Sequence, residues 1–374
     1  MLSGERSVLS LRDKSHTSRA PLLSATIDKH IQSQSKSRTI GAINTAAKKF
    51  IALIGDMPLD ELLPEHFHRF CTHEASRDVG GQSKGSVKRP ISADTIQKDI
   101  RLLSGAIGRA IKRGEFAGPN PASRIDASAF TRPVSAAIMP AKRPFLIDEL
   151  NRVFAYPWFT GCASRTSIHK PGTYRLTDAF YWGPILALMT GCRAGELGGL
   201  ALDEVKTDRP FPHIVIRDNA FRTTKGSYRR RVPLTDQLIE MGFIDFVEHR
   251  RRTQGVRLFD DWTAPQGRKP ADDPAWSNGK MVRAFNATLI PNALADSLLP
   301  EARREVTFHS FRGAFKSLLS MNRYRIPINY VHEVVGHAKS SLDQRYIKEI
   351  PLEETYAAIR ACRYEGLKIP TPPN

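Results

Sequence analysis

Four short stretches hold the side chains that could do chemistry together. Thr190-Gly191-Cys192-Arg193-Ala194-Gly195-Glu196 offers a guanidinium beside a turn, and Lys225 offers an ammonium in a loop. His309-Ser310-Phe311-Arg312 offers an imidazole and a second guanidinium, and Gly336-His337 a second imidazole, followed by Tyr346. Arginines present planar forks of N–H donors to an anionic oxygen. Imidazole and ammonium groups move protons to and from reacting atoms. A phenol, with an ordinary pKa of about 10, becomes a nucleophile where nearby positive charge favours the phenolate. The chemistry open to such a set is group transfer at an anion, provided the fold brings the pieces to one place.

Taken singly, each stretch has an ordinary structural explanation. The HxxR pattern occurs four times, at His16/Arg19, His66/Arg69, His249/Arg252 and His309/Arg312, as a basic chain produces by chance. A lysine in a hairpin turn keeps a protein soluble, and a tyrosine near the end of an amphipathic helix is ordinarily a core or boundary aromatic. Order and setting distinguish these pieces. Arg193 follows an apolar stretch at a turn, where its guanidinium can face a cleft, and Glu196 can brace that turn. Only the last HxxR copy follows the β-leaning Val306-Thr307-Phe308 and opens an apolar-periodic helix, so His309 and Arg312 share a face. Gly336 can end a helix as its C-cap and expose His337. Tyr346, on a new short helix, can face back toward the same cleft.

The elements that must position these groups fall into two regions. Residues 1–21 read as a flexible basic tail, 22–127 as a small all-helical module, 128–143 as a linker, and 144–374 as a mixed region with a C-terminal helix. In the first region, helical spacing predicts helices over Ile40 to Ile54, over 59–75 and from about Asp94 to Arg113, the last capped by Ser92. Residues 79–92, rich in Gly, Ser and Lys, read as a loop. In the second region, 145–156 and 234–252 read as helices, and 177–191 as an apolar helix interrupted at Gly183-Pro184. Short strands are expected over 213–218, 220–224 and 228–234, the last two joined as a hairpin at Lys225-Gly226. The rest is mostly helical, over 281–290, 308–321, 327–335, 340–350 and 351–362. The expected fold class is mainly α with a small antiparallel β-sheet.

Lys and Arg number 56 against 38 Asp and Glu, a formal net charge of +18. That excess points to a polyanionic partner, nucleic acid first and an anionic membrane second. No apolar run approaches the ~20 residues of a membrane span, and the polar, basic start has no signal-peptide core. Membrane attachment is therefore disfavoured, and a cytoplasmic protein that binds nucleic acid is expected. Cys71, Cys162, Cys192 and Cys362 stand far apart with no CxxC pair, which argues against a zinc site or a disulfide framework. With no clear carboxylate cluster either, neither a metal nor another cofactor is expected.

TGCRAGEL, the hairpin Lys225, HSFR and VVGHAKSSLDQRY, in that order, resemble the catalytic domain of the tyrosine recombinases, the phage integrases and their relatives, over about residues 144–362. The helical module, ending in GPNPAS, is similar to the family's core-binding domain. The resemblance implies an all-helical core-binding domain plus a mixed α+β catalytic domain. It implies a site-specific DNA recombinase that cleaves and rejoins strands through a 3′-phosphotyrosyl intermediate, integrating or excising a phage or other mobile element. It implies self-association into a tetrameric synaptic complex on DNA. By the same resemblance Arg193 and Arg312 grip the scissile phosphate, Lys225 and His309 handle protons, and His337 hydrogen-bonds the phosphate. Tyr346 is then the nucleophile, and Glu196 supports Arg193.

Several points depart from the family or stay open. Ser310 stands where the family often has an acidic residue. Hairpin loops drift, and Arg222, Arg229 and Arg230 lie close to Lys225. Residues 162–177 look longer than usual, and Arg165, His169, Lys170 and Arg175 there either touch DNA or are solvated. The helix from Asp94 either lies near a major groove or presents a solvated basic face. The stretch 351–362 resembles the family's segment that docks on a neighbouring protomer, and Leu352, Tyr356 and Ile359 suit either an exchanged helix or packing on their own domain. Few residues precede the helical module, so no separate arm-site-binding domain is expected. Two other functions compete: a type IB topoisomerase, separable by four-protomer assembly on two sites, and a DNA-binding regulator on an inactive recombinase scaffold. The full set of catalytic residue types argues against the second.

Overall fold

The computed structural model describes residues 20–372, apart from 36, 80–87, 133–140, 209, 225–228, 266–274, 296–304 and 338–349. The chain divides into two compact units, Met1–Val134 and Ser135–Asn374, each around its own apolar core.

The first unit holds α1 (Leu23–Gln32), α2 (Ser37–Ile54), α3 (Pro64–Ala75) and α4 (Ala93–Lys112). Ser92 caps α4 as expected, its Oγ accepting the Thr95 N–H at 3.3 Å. Ile96, Ile100, Leu103 and Ile107 recur on one face of α4 and are fully buried in a core that also holds Phe50, Phe67 and Phe70. The helix expected from residue 59 begins only at Pro64, because proline has no N–H to donate and fits the first helical turn. The unit is not wholly helical. β1 (Asp78–Val79) and β2 (Arg89–Pro90) form a small antiparallel ribbon at the ends of the expected loop.

The second unit opens with α5 (Ile147–Phe154), α6 (Pro157–Thr160), α7 (Ala179–Thr190) and α8 (Ala194–Gly198). Every residue of α7 is buried, so this helix is the axis of the core. The expected interruption at Gly183-Pro184 does not occur. Pro184 sits inside a continuous helix, where burial on all sides outweighs one lost backbone hydrogen bond.

A three-stranded antiparallel sheet follows, in the order β3 (Val205–Lys206), β4 (His213–Ile216), β5 (Arg230–Pro233), with Val205 opposite Ile214 and Ile216 opposite Arg230. The hairpin therefore joins β4 to β5, and residues 220–224 are not a strand. Side chains divert that stretch: Asn219 Oδ1 accepts the N–H groups of Phe221 and Arg222 at 2.8 and 2.9 Å, and Asp218 Oδ1 accepts that of Thr224 at 2.6 Å. Such turns compete with ladder pairing.

The stretch 234–252 is two helices, α9 (Asp236–Glu240) and α10 (Phe243–Arg252), broken at Gly242. Then come α11 (Lys280–Ala284), a π-helical turn, α12 (Ile290–Ala293), α13 (Ser310–Leu319), α14 (Ile328–Val335) and α15 (Leu352–Ile359). In this chain α15 packs on its own β5, with Leu352, Tyr356 and Ile359 all buried.

Residues 162–177 form a closed loop, not a loose extension. Cys162 and Tyr174 exchange backbone hydrogen bonds of 2.8 Å, and Arg165 pairs with Asp178 at 2.7 Å and with Asp261 at 3.2 Å. Arg175 donates to the carbonyls of Thr160 and Thr371. Arg165 and Arg175 thus serve the fold. No helix among the described residues is long and apolar enough to cross a membrane.

Candidate active site

The site grows from the junction of α7 and α8. Gly191 ends α7 in the left-handed region, at φ 62°, and a Cβ there would lie 2.7 Å from the Phe315 ring of α13. Glycine therefore permits both the turn and the close approach of α13. Across that contact the Gly191 carbonyl accepts a hydrogen bond from Arg312 Nη1 at 2.7 Å.

Arg193 caps the start of α8. Its backbone N–H donates to Glu196 Oε2 at 2.7 Å, and its Nη1 donates to Glu196 Oε1 at 2.8 Å. Glu196 also receives the Arg230 guanidinium from β5, through Nη2 at 2.7 Å and Nη1 at 3.0 Å. Arg230 is only 2% exposed, and its Nε donates to the Val334 carbonyl at 3.0 Å. Arg193 Nη2 reaches the Gly336 carbonyl at 3.2 Å. One carboxylate thereby ties α8, β5 and the end of α14 together. Burial pushes the Glu196 carboxyl up, but the charges and hydrogen bonds of Arg230 and Arg193 override it and hold the pKa at about 2.

At the end of α14 the chain turns through Gly336 at φ 67°, and a Cβ there would lie 2.9 Å from Arg230 Nη1. The His337 N–H donates to the His332 carbonyl at 2.9 Å, and the two rings stack with centroids 5.2 Å apart. On α13 the Ser310 hydroxyl accepts the Thr307 N–H at 3.0 Å, fixing the first turn. His309 stands exposed at the N-cap, while Arg312 is buried.

His309, Arg312 and His337 line one cavity of about 300 Å³, together with Lys142, Thr307 and Lys316. Burial, then the charge of Arg193, pulls the Arg312 guanidinium down to about 10. Burial lowers both histidines, reinforced at His309 by Arg312 and Arg193, and at His337 by Lys316 and Arg312. Further positive charge is thus disfavoured here, and both imidazoles lean toward their neutral form. Arg312 Nη2 is buried without a hydrogen-bond partner. An unsatisfied guanidinium N–H beside other cations is the binding feature of an anion site.

Of the residues singled out in the sequence, Arg193, His309, Arg312 and His337 come together here. Lys225 and Tyr346 lie outside the described residues. Two neighbours escaped notice as members of the site. Arg230 read only as a basic residue close to Lys225, although its inward place in an alternating strand was the available signal. Lys316 follows Arg312 by one helical turn, a spacing that puts both on one face. Arg222 is instead consumed structurally, in a buried pair with Glu204 at 2.9 Å.

The architecture is the tyrosine-recombinase fold, mainly helical with two small antiparallel sheets. Solved structures that share it include the Tn1549 transposon integrase in complex with transposon right end DNA. That structure matches with a TM-score of 0.56 and 14% identity, over 90% of this chain and 98% of that one. A lambda integrase dimer bound to a COC′ core site matches with a TM-score of 0.51 and 14% identity, over 88% of this chain and 78% of that one. A lambda integrase tetramer bound to a Holliday junction matches with a TM-score of 0.51 and 13% identity, over 94% and 86%. No protein-family model and no curated protein matches the sequence.

Proposed function

We propose that the chain is a site-specific DNA recombinase of the integrase type, which cuts and rejoins duplex DNA through a covalent link to Tyr346. The observation that carries this reading is the buried, unpartnered Nη2 of Arg312 within the Arg193–His309–His337 cluster. A phosphodiester supplies the missing anion. Its charge grows in the pentacovalent transition state, where the two guanidiniums bind it more tightly than in the ground state.

In this mechanism the Tyr346 oxygen attacks phosphorus in line with the 5′-oxygen. A P–O(Tyr) bond forms as the P–O5′ bond breaks, leaving a 3′-phosphotyrosine. Lys225 donates a proton to the departing 5′-oxygen, and His309 takes the phenol proton. His337 hydrogen-bonds a non-bridging oxygen. A 5′-hydroxyl of a second strand then attacks the phosphotyrosine and expels Tyr346, so the number of ester bonds is conserved and no ATP is required. Strand exchange between two duplexes needs several protomers. A tetramer on DNA is the assembly we assign, by analogy with the lambda integrase tetramer on a Holliday junction. The net charge of +18 suits that partner.

The test is covalent capture from a pool of nicked duplexes with a randomised core, without metal or ATP. The full chain forms an adduct bearing a free 5′-hydroxyl, and Tyr346→Phe does not. No adduct from the pool, or one that persists in Tyr346→Phe, overturns the reading.

A further inference from the structure

Lys316 lies outside the motif residues of the site. It sits on α13 one turn after Arg312, half-buried, and lines the same cavity as His309, Arg312 and His337. Its side chain makes no hydrogen bond or ion pair among the described residues. The carboxylates of Glu196, Glu149 and Glu305 are engaged elsewhere: Glu196 holds Arg193 and Arg230, while Glu149 and Glu305 hold Arg143. A half-buried lysine with no counter-ion keeps its ammonium available to an anion that enters the cavity.

Geometry narrows the anion. Residues four apart on a helix share a face, so Lys316 and Arg312 point the same way. His337 lines the same cavity, and Lys316 is the charged group that weighs most on its imidazole. Together they line a cavity of about 300 Å³, and the buried Nη2 of the lining Arg312 lacks a hydrogen-bond partner. That is room for a tetrahedral oxyanion, which Arg312 and Lys316 would meet from the same helix face.

We propose that Lys316 is a third phosphate-gripping cation of the site, binding a non-bridging oxygen of the same phosphate as Arg312. This inference rests on the recombinase reading for the identity of the phosphate, though not for the existence of the oxyanion site. The role is electrostatic grip, distinct from the proton donation assigned to Lys225. A planar cation of the same charge should therefore substitute, and an isosteric neutral chain should not.

Two measurements on the full chain test it. Inorganic phosphate is titrated while the ring protons of His309 and His337 are followed by NMR. Lys316→Met, which keeps the aliphatic stem, should weaken phosphate binding about tenfold, whereas Lys316→Arg should stay within about threefold of the parent. Single-turnover cleavage at saturating DNA, on duplexes recovered by covalent capture, should fall on the order of ten- to a hundredfold in Lys316→Met. A 5′-bridging phosphorothiolate, whose leaving group needs no proton, should not restore it. Unchanged phosphate binding and unchanged cleavage in Lys316→Met overturn the inference and leave the recombinase reading standing. Rescue by the phosphorothiolate overturns it too, by making Lys316 the proton donor. If the parent forms no adduct, the recombinase reading falls, and the phosphate titration still decides the oxyanion site.

Discussion

Glu196 answers two guanidiniums at once, and the site depends on that sharing. Arg230 is 2% exposed, so removing the carboxylate strands a buried charge. Glu196→Ala should cost about 3–5 kcal/mol in chemical unfolding; a loss near zero would show that the network carries no stability. Its pH dependence has a definite sign. The Glu196 carboxyl is held at about 2 against an ordinary 4.5, so its contribution is complete above about pH 4.5 and fades as pH falls toward 2. The stability gap between the parent and Glu196→Gln should narrow across that window, and a gap constant with pH would contradict the assignment. Arg193 is a different case, because its side chain is partly exposed where that of Arg230 is buried, and on the proposed function many other basic residues would share the DNA affinity. Arg193→Ala should lower single-turnover cleavage on the order of a hundredfold or more, while duplex binding stays within about tenfold. A large binding loss with normal cleavage at saturation would contradict its role.

Elements, not side chains alone, set the distance between the two arginines. Arg193 caps α8 and Arg312 belongs to α13, and the contact of α7 with α13 at Gly191 brings them together. Gly191→Ala adds a left-handed non-glycine residue and a Cβ 2.7 Å from Phe315. The expected penalty is about 1–3 kcal/mol for the backbone alone, with a further loss of cleavage as α13 shifts. Comparing unfolding with cleavage at a temperature where the variant is folded separates the two. A variant that is folded and fully active would show that the α7–α13 approach does not govern the site. The break of 234–252 into α9 and α10, and the Asx turns at Asp218 and Asn219, show the same principle at work on the fold: a local backbone conformation overrode a periodic pattern.

For the whole molecule the governing quantity is charge. An excess of +18 spread over two units predicts DNA binding dominated by counterion release. Affinity for a duplex should fall linearly in log–log form as salt rises, with a slope of about −0.9 per phosphate neutralised. Fluorescence polarisation across a salt series checks it, and an affinity insensitive to salt would exclude this mode of binding. The same charge explains why catalytic and structural cations are hard to tell apart by inspection. Arg165, Arg175 and Arg222 all lie in basic stretches, yet all three are engaged by the fold.

The sequence by itself determined the fold class and the helices around Ile96, Leu150 and Phe315, and it singled out Arg193, His309, Arg312 and His337 as candidates whose roles come from the family resemblance. These rest on local periodicity, capping chemistry and the spacing of reactive types, which are short-range properties of a chain. Only the tertiary structure decided that Arg230 completes the Glu196 network, that Lys316 shares the cavity, and that residues 220–224 leave the sheet. The first two depend on which groups meet in the packed chain, and the third on whether side-chain turns or ladder pairing satisfies the backbone of 218–224. Burial and pairing are properties of the packed chain, and no spacing along the sequence encodes them directly.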